Sequence, residues 1–189
     1  MQKSAMGGVD QTLSSMMKSP SGDGQEAPAV DPTLNYKCLR KPEDGSIYYG
    51  EVAYVRKSSG ELIKFPSPIY ETEIKALPEE QRLEQFQMVR HGYGLYLFSG
   101  QRNEDGVMTK YEGAWNRDKK HGQGFAVYAD GSTYRGKFSR DVKDGQGTFT
   151  WTKGHEYRGS FRDGQMDGQG LFMHSSGMQH SGTFKRNQF

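Results

Sequence analysis

The sequence predicts an all-β chain: an elongated, single-layer antiparallel sheet of stacked β-hairpins, with one short inserted helix and a disordered N-terminal arm. Three observations predict it. A Tyr-x-Gly-x-aromatic signature returns every 23 residues, and a Gly-x-Gly pair returns in phase with it. The chain also holds 25 glycines and 12% aromatics against an apolar content of only 33%. So few aliphatic side chains cannot fill a thick core, but rings can pack on a thin pleated sheet with many turns. Self-similarity at a fixed period marks a repeat architecture, in which each unit buries its apolar face against its neighbours.

Residues 1–35 are rich in Ser, Gly, Met, Gln and Pro, with a breaker cluster at Ser19-Pro20-Ser21-Gly22-Asp23-Gly24. This stretch has too little apolar surface to offset the entropy of ordering, so it is expected to be a disordered arm before a repeat domain at 36–189. The first unit, about 48–110, is stretched. Tyr48-Tyr49-Gly50 supplies its first half and His91-Gly92-Tyr93-Gly94 its second. Gly50 and Gly92 are 42 residues apart, against 9 from Gly113 to Gly122, so about 33 residues, 56–90, are inserted at the hairpin turn. Pro66 and Pro68 break any strand there. Pro78-Glu79-Glu80 then opens a helix expected over 79–89, with Leu83, Phe86, Val89 and Arg90 at helical spacing. A second insertion of about 7 residues, around Gln101–Lys110, precedes the regular units.

The regular units are 111–133, 134–156 and 157–179, followed by a half unit at 180–189. They begin at Tyr111, Tyr134, Tyr157 and His180, each followed two residues later by Gly and four residues later by Trp115, Phe138, Phe161 or Phe184. Period 2 puts Tyr, Gly and the second ring on one face. The pairs Gly122 and Gly124, Gly145 and Gly147, and Gly168 and Gly170 are assigned to the turns, where positive φ or close backbone approach excludes a Cβ. Gly131, Gly154 and Gly177 lead each unit into the next. In the second strands Tyr96 and Phe98, Phe149 and Trp151, and Phe172 and His174 share a face. The final half unit leaves an open edge, so edge-to-edge self-association is expected to be available.

Tyr111-Glu112-Gly113-Ala114-Trp115, His121-Gly122-Gln123-Gly124 and Asp130-Gly131 together resemble the MORN repeat (membrane occupation and recognition nexus), over residues 48–54 and 91–189. The resemblance implies an elongated antiparallel sheet whose aromatic-lined groove takes a partner helix or strand. It also implies a scaffold, since similar proteins serve cilia, radial spoke heads, basal bodies and the cell cortex; others are junctional membrane proteins or regulatory segments of lipid kinases. The extra domains that make some relatives enzymes are not seen in this sequence. His180 in place of Tyr, and Asp144 and Asp167 in place of His, alter the shape of the expected groove.

Tyr111, Trp115, Tyr134, Phe138, Tyr157 and Phe161 are the expected partner-binding groove, an exposed apolar stripe suited to an amphipathic helix in a larger assembly. No catalytic residue is expected. His91 and His121 share a slot where Asp also appears, which suits turn residues and not a general base. Asp163–Gly168 resembles the start of a calcium loop, but His174 stands where the bidentate Glu belongs, so no metal is expected. The Gly-x-Gly pairs lack the residues of a phosphate loop, and no cofactor is expected. The lone Cys38 excludes an internal disulfide and is read as half-buried. A net charge of +2 with interspersed signs argues against nucleic acid. Residues 111–189 do carry 12 Lys/Arg against 8 Asp/Glu, and Lys119 and Lys120 at a hairpin tip are the candidate lipid or anion contact. A tether to anionic membrane is therefore the alternative to the protein adaptor. There is no apolar signal core and no run of about 20 apolar residues. A cytoplasmic setting is expected, and the resemblance points to the cytoskeleton or a cilium or flagellum.

Overall fold

The computed structural model describes residues 36–40, 45–65, 67–99, 102–103 and 106–189. The arm expected at 1–35 lies outside the described residues. The unit Asn35–Phe189 is one open, all-antiparallel sheet. In chain order its strands are β1 (Tyr36–Arg40), β2 (Ile47–Arg56), β3 (Leu62–Lys64), β4 (Phe86–Leu97), β5 (Arg102–Asn103), β6 (Gly106–Asn116), β7 (Lys119–Tyr128), β8 (Thr133–Ser139), β9 (Val142–Thr150), β10 (Glu156–Arg162), β11 (Gln165–Met173) and β12 (Gln179–Phe184). They pair in the order β1-β2-β4-β6-β7-β8-β9-β10-β11-β12, with β3 beside β2 and β5 beside β6.

The register explains the 23-residue period. Gly50, Gly94, Gly113, Gly124, Gly136, Gly147, Gly159, Gly170 and Gly182 are paired one to the next across the sheet, forming a continuous glycine rib. A parallel row two residues away runs through Tyr48, Tyr96, Tyr111, Ala126, Tyr134, Phe149, Tyr157, Phe172 and His180. Tyrosines at the start of each unit lay their rings flat on the rib. A Cβ at Gly147 would stand 2.5 Å from the Tyr134 hydroxyl, and one at Gly136 would stand 2.5 Å from the Gly147 Cα. Each hydroxyl donates to a carbonyl three residues on: Tyr48 to Glu51 at 2.6 Å, Tyr111 to Ala114 at 2.8 Å, and Tyr134 to Lys137 and Tyr157 to Ser160 at 3.0 Å. A buried phenol without such a partner would be destabilising.

The turns at Gly131, Gly154 and Gly177 lie where the sequence suggested, but those at the hairpin tips lie elsewhere. The tips are two-residue turns at Arg117-Asp118 (φ 48° and 66°), Arg140-Asp141 (48° and 77°), Asp163-Gly164 (47° and 80°) and Arg186-Asn187 (48° and 67°). Positive φ at both positions matches the twist of flanking strands, as in primed hairpin turns. The six glycines expected in turns are therefore reassigned. Gly124, Gly147 and Gly170 belong to the rib. Gly122, Gly145 and Gly168, at φ 69°, 107° and 112°, sit between rib and tip, where the register shifts by a bulge. His91 and His121 lie in β4 and β7 and are not turn residues.

The insertion is smaller than expected, because β2 and β4 stay paired as far as Arg56 and Phe86. Between them come β3, one π-helical turn (Tyr70–Ile74) and a helix, α1 (Glu79–Gln85). The helix expected over 79–89 ends at Gln85, and Phe86 is extended at φ −129° and ψ 149°. Phe86, Val89 and Arg90 answer equally to a strand, whose backbone pairs with Val52–Arg56. Tyr54, Ile63, Ile74 and Phe86 form a satellite core with Ile69, Tyr70 and Leu77 packed on it. Helix α1 rests against β4 and buries none of its residues, so it does not fill the ring face of the repeats.

Candidate partner-binding face

The six rings expected to line an exposed groove are inside the protein. Tyr111, Tyr134, Phe138 and Tyr157 are 0% exposed, Trp115 4% and Phe161 5%. They interlock edge to face: Tyr111 meets Trp115 and Phe138 at 5.1 Å, Tyr134 meets Phe138 at 5.1 Å and Phe161 at 5.0 Å, and Tyr157 meets Phe161 at 5.2 Å. Every ring thus touches one of its own unit and one of a neighbouring unit, which is how a single-layer sheet buries them. They are core, and no exposed stripe is built from them.

What remains open on this face is the second ring row and, beside Phe184, the exposed Phe189. Phe98, Phe149, Trp151 and Phe172 are only partly buried against the core. Tyr128, Phe149, Trp151 and Phe172 follow one another at 5.7, 4.6 and 5.5 Å, and His155 and His174 extend the line, 4.2 Å apart. This strip crosses β7, β9 and β11.

Between the rows lies a slot filled once per unit. Its occupants are Arg90, Lys120, Lys143, Met166 and Phe189; the last four each follow a turn by two residues. The Arg90 guanidinium lies 4.3 Å from the Trp115 ring and 4.9 Å from Tyr96. The Lys120 ammonium is 5.8 Å from Phe98 and 5.9 Å from Tyr111, and the Lys143 ammonium is 4.8 Å from Phe149 and 5.6 Å from Phe161. Cations over ring faces are favourable, more so where water is excluded. Lys120 is accordingly buried, with its ammonium 3.4 Å from Asp141, and Lys119 is exposed but paired to Asp141 at 2.9 Å. Lys120 is thus no exposed anion contact, since its stem lies in the ring core.

A ladder of tip contacts went unread in the sequence. The N–H groups of Asp118, Asp141, Gly164 and Asn187 donate to the carbonyls of Arg90, Lys120, Lys143 and Met166 at 2.9–3.0 Å. In return the Arg90, Lys120 and Met166 N–H groups each donate to the side chain of Asp118, Asp141 and Asn187 at 2.8 Å. Burial raises the Asp141 pKa, but the Lys120 N–H, Lys119 and the Lys120 charge outweigh it and hold the carboxyl below its ordinary value. The signal was present as Asp118, Asp141 and Asn187, spaced at 23 and 46 residues. Burial pushes the Tyr111 hydroxyl far above its usual value and, with Lys64 and Arg117 nearby, lowers the His91 pKa.

The opposite face is polar. A shallow groove of about 540 Å³ runs over the back of the rib between Gln123, Gln146 and Gln169 on one side and Arg135, Arg158 and Leu171 on the other. Among the described residues no group of three or more His, Cys, Asp or Glu could hold a metal ion, and no helix is long and apolar enough to cross a membrane. Cys38 is exposed, not half-buried.

A glycine rib carrying an interlocked ring core, with a unit of 23 residues, defines a β-hairpin repeat protein. The sequence model of the MORN repeat matches residues 89–101, 111–133, 134–156 and 157–179, and the chain is a MORN-repeat protein. The three regular units are matched over their full 23 residues, and the interrupted first unit only after its insertion. Comparison with curated proteins gives no match. MORN repeats are protein- and membrane-binding modules, generally without catalysis.

Proposed function

We propose that the chain is a non-catalytic structural adaptor that holds an amphipathic helix or strand of a protein partner against the half-buried ring strip, within a cytoplasmic cytoskeletal or ciliary assembly. The observation that carries the reading is the strip itself: Phe98, Phe149, Trp151 and Phe172 remain partly open beside the sealed row of Tyr111, Trp115, Tyr134, Phe138, Tyr157 and Phe161. Partly exposed rings in a row are suited to anchor residues at i, i+3, i+4 and i+7 of a helix. The setting rests on the family resemblance. The alternative, a membrane tether through Lys119 and Lys120, has less support, because Lys120 is buried and Lys119 is ion-paired.

The test is selection from a displayed library of helical and extended peptides, followed by binding to wild type and to Trp151→Ala/Phe172→Ala. Enriched sequences should carry apolar anchors at helical or strand spacing and lose affinity at least about tenfold on the double variant. Because both rings are only partly buried, that variant should keep its fold by circular dichroism. Equal binding by the folded double variant would remove the strip as the site.

A further inference from the structure

The hairpin tips carry a charge pattern that the ring strip does not use. Three of the four turns place an arginine, Arg117, Arg140 or Arg186, at the first left-handed position with φ 48°. A left-handed conformation favours Gly, Asn or Asp, so turn geometry does not explain arginine there. All three are exposed. The Asp that follows two of them is folded inward, Asp118 onto the Arg90 N–H and Asp141 onto the Lys120 N–H. Over the four turns, 116–119, 139–142, 162–165 and 185–188, six Lys/Arg stand against three Asp. Two strand spacings separate successive tips, so the cations recur about every 10 Å along one edge of the sheet.

The same edge carries the opposite sign in the first unit, where the insertion replaces the tip. Residues 57–85 hold six Glu against four Lys/Arg. Glu61 and Glu73 are paired with Arg56, and Glu71 with Lys75. Glu79, Glu80 and Glu84 on α1 are exposed. At about 100° per residue they share one arc of the helix with Leu83, which is 63% exposed. Arg82 turns the other way and donates to the Leu77 carbonyl. One edge therefore bears an acidic helix face centred on a leucine and, beyond it, a row of outward cations.

We propose that the chain self-associates as a symmetric pair, two copies apposed tip to tip and antiparallel, with the outer face of α1 from each copy docked on the arginine tips of the other. A two-fold interface uses the same patch twice and must be self-complementary. An edge that is acidic at one end and basic at the other meets that condition when it is turned end for end. The occupant is a second copy because both halves of the charge match lie on this chain and on one edge. The ring strip stays free in this arrangement, so the partner-binding reading and this one stand or fall separately.

The experiment is sedimentation equilibrium of the full chain at low and high salt. The wild type should be dimeric at low salt and dissociate as salt screens the contact. Glu79→Lys/Glu80→Lys/Glu84→Lys and Arg117→Glu/Arg140→Glu/Arg186→Glu should each raise the dissociation constant by about tenfold or more. Mixing the two charge-reversed chains should restore a heterodimer. Arg117→Asn/Arg140→Asn/Arg186→Asn relaxes the turns while removing the charge, so it too should be monomeric and well folded. A wild type that is monomeric at both salts overturns the proposal, including one whose tips bind phosphatidylserine vesicles instead. So does a dimer indifferent to the reversals, or a mixture of reversed chains that fails to pair.

Discussion

The regular repeats and the interrupted first unit extend one sheet with two different cores. From Tyr111 to Phe184 the interior is a row of rings, the tyrosines lying on glycine and each ring wedged edge to face against the next. In the first unit Val52 stands where Trp115, Phe138 and Phe161 stand later. There the strands run on past the rib to a separate cluster of Tyr54, Ile63, Ile74 and Phe86. The difference shows what the repeat can tolerate. A tip only closes a hairpin, so it can be exchanged for a long segment. The ring row does not reach beyond the tips, so the added segment must bring its own apolar cluster to be ordered.

The largest expected effect tests whether the two cores are separate. Phe138 touches Tyr111 and Tyr134 and is fully buried. Phe138→Ala should cost about 3–5 kcal/mol and lower the melting of the repeats as a block. Phe86→Ala removes a ring just as buried, but its loss should be local. Hydrogen exchange should show 57–85 unprotected while amides of β8–β11 keep their protection. If Phe86→Ala opens both regions together, the two cores act as one.

Glycine sharpens the same contrast. At Gly147 a Cβ would meet the Tyr134 ring at 2.5–2.6 Å, and the ring is held by its hydroxyl bond to Lys137. Gly147→Ala should therefore cost about 2–3 kcal/mol through overpacking. Gly60, in the insertion, has φ 71° and no atom within 4 Å of its would-be Cβ. Gly60→Ala should cost only about 1 kcal/mol, from the left-handed backbone alone. Urea titrations at equal m-value would check the ratio.

The rib and the units were legible in the sequence because three markers keep one period and strand alternation puts them on one face. Burial was not legible. A single-layer sheet suggested exposed rings, but glycine under each tyrosine lets the ring lie down and touch the next unit. The tip turns were missed because Arg-Asp does not announce a primed turn, whereas the nearby Gly-x-Gly pairs do so falsely. The end of α1 was missed because Phe86, Val89 and Arg90 fit both a helical and a strand pattern, and the choice is made by their partners in Val52–Arg56, far earlier in sequence. Lys120 and Lys143 have the 23-residue spacing, yet only the fold shows that they point into the rings.

The tip ladder yields a smaller effect with a pH signature. Asp141→Ala removes the acceptor of the Lys120 N–H and leaves alanine in a left-handed turn, costing about 1–2 kcal/mol. Asp141→Asn keeps acceptor and turn, as Asn187 does two units further on, and should cost less than about 0.5 kcal/mol at neutral pH. The folded carboxyl is held below its ordinary value. Its contribution is therefore present above the unfolded-state pKa of about 4 and lost as pH falls toward the folded value. Melting curves of wild type and Asp141→Asn should converge over that acid range and differ above it.

The smallest effect bears on why the slot changes character along the sheet. Arg90, Lys120 and Lys143 fill it in the earlier units, and Met166 and Phe189 in the later ones. If packing alone governs the slot, Lys143→Met should be neutral within about 1 kcal/mol or slightly stabilising, since a buried charge is exchanged for the side chain the next unit already uses. Melting curves of the wild type and the variant should then coincide within that range. Loss of stability beyond that range would mean that the cation is part of the ring core itself. The repeats would then differ in how they are held together.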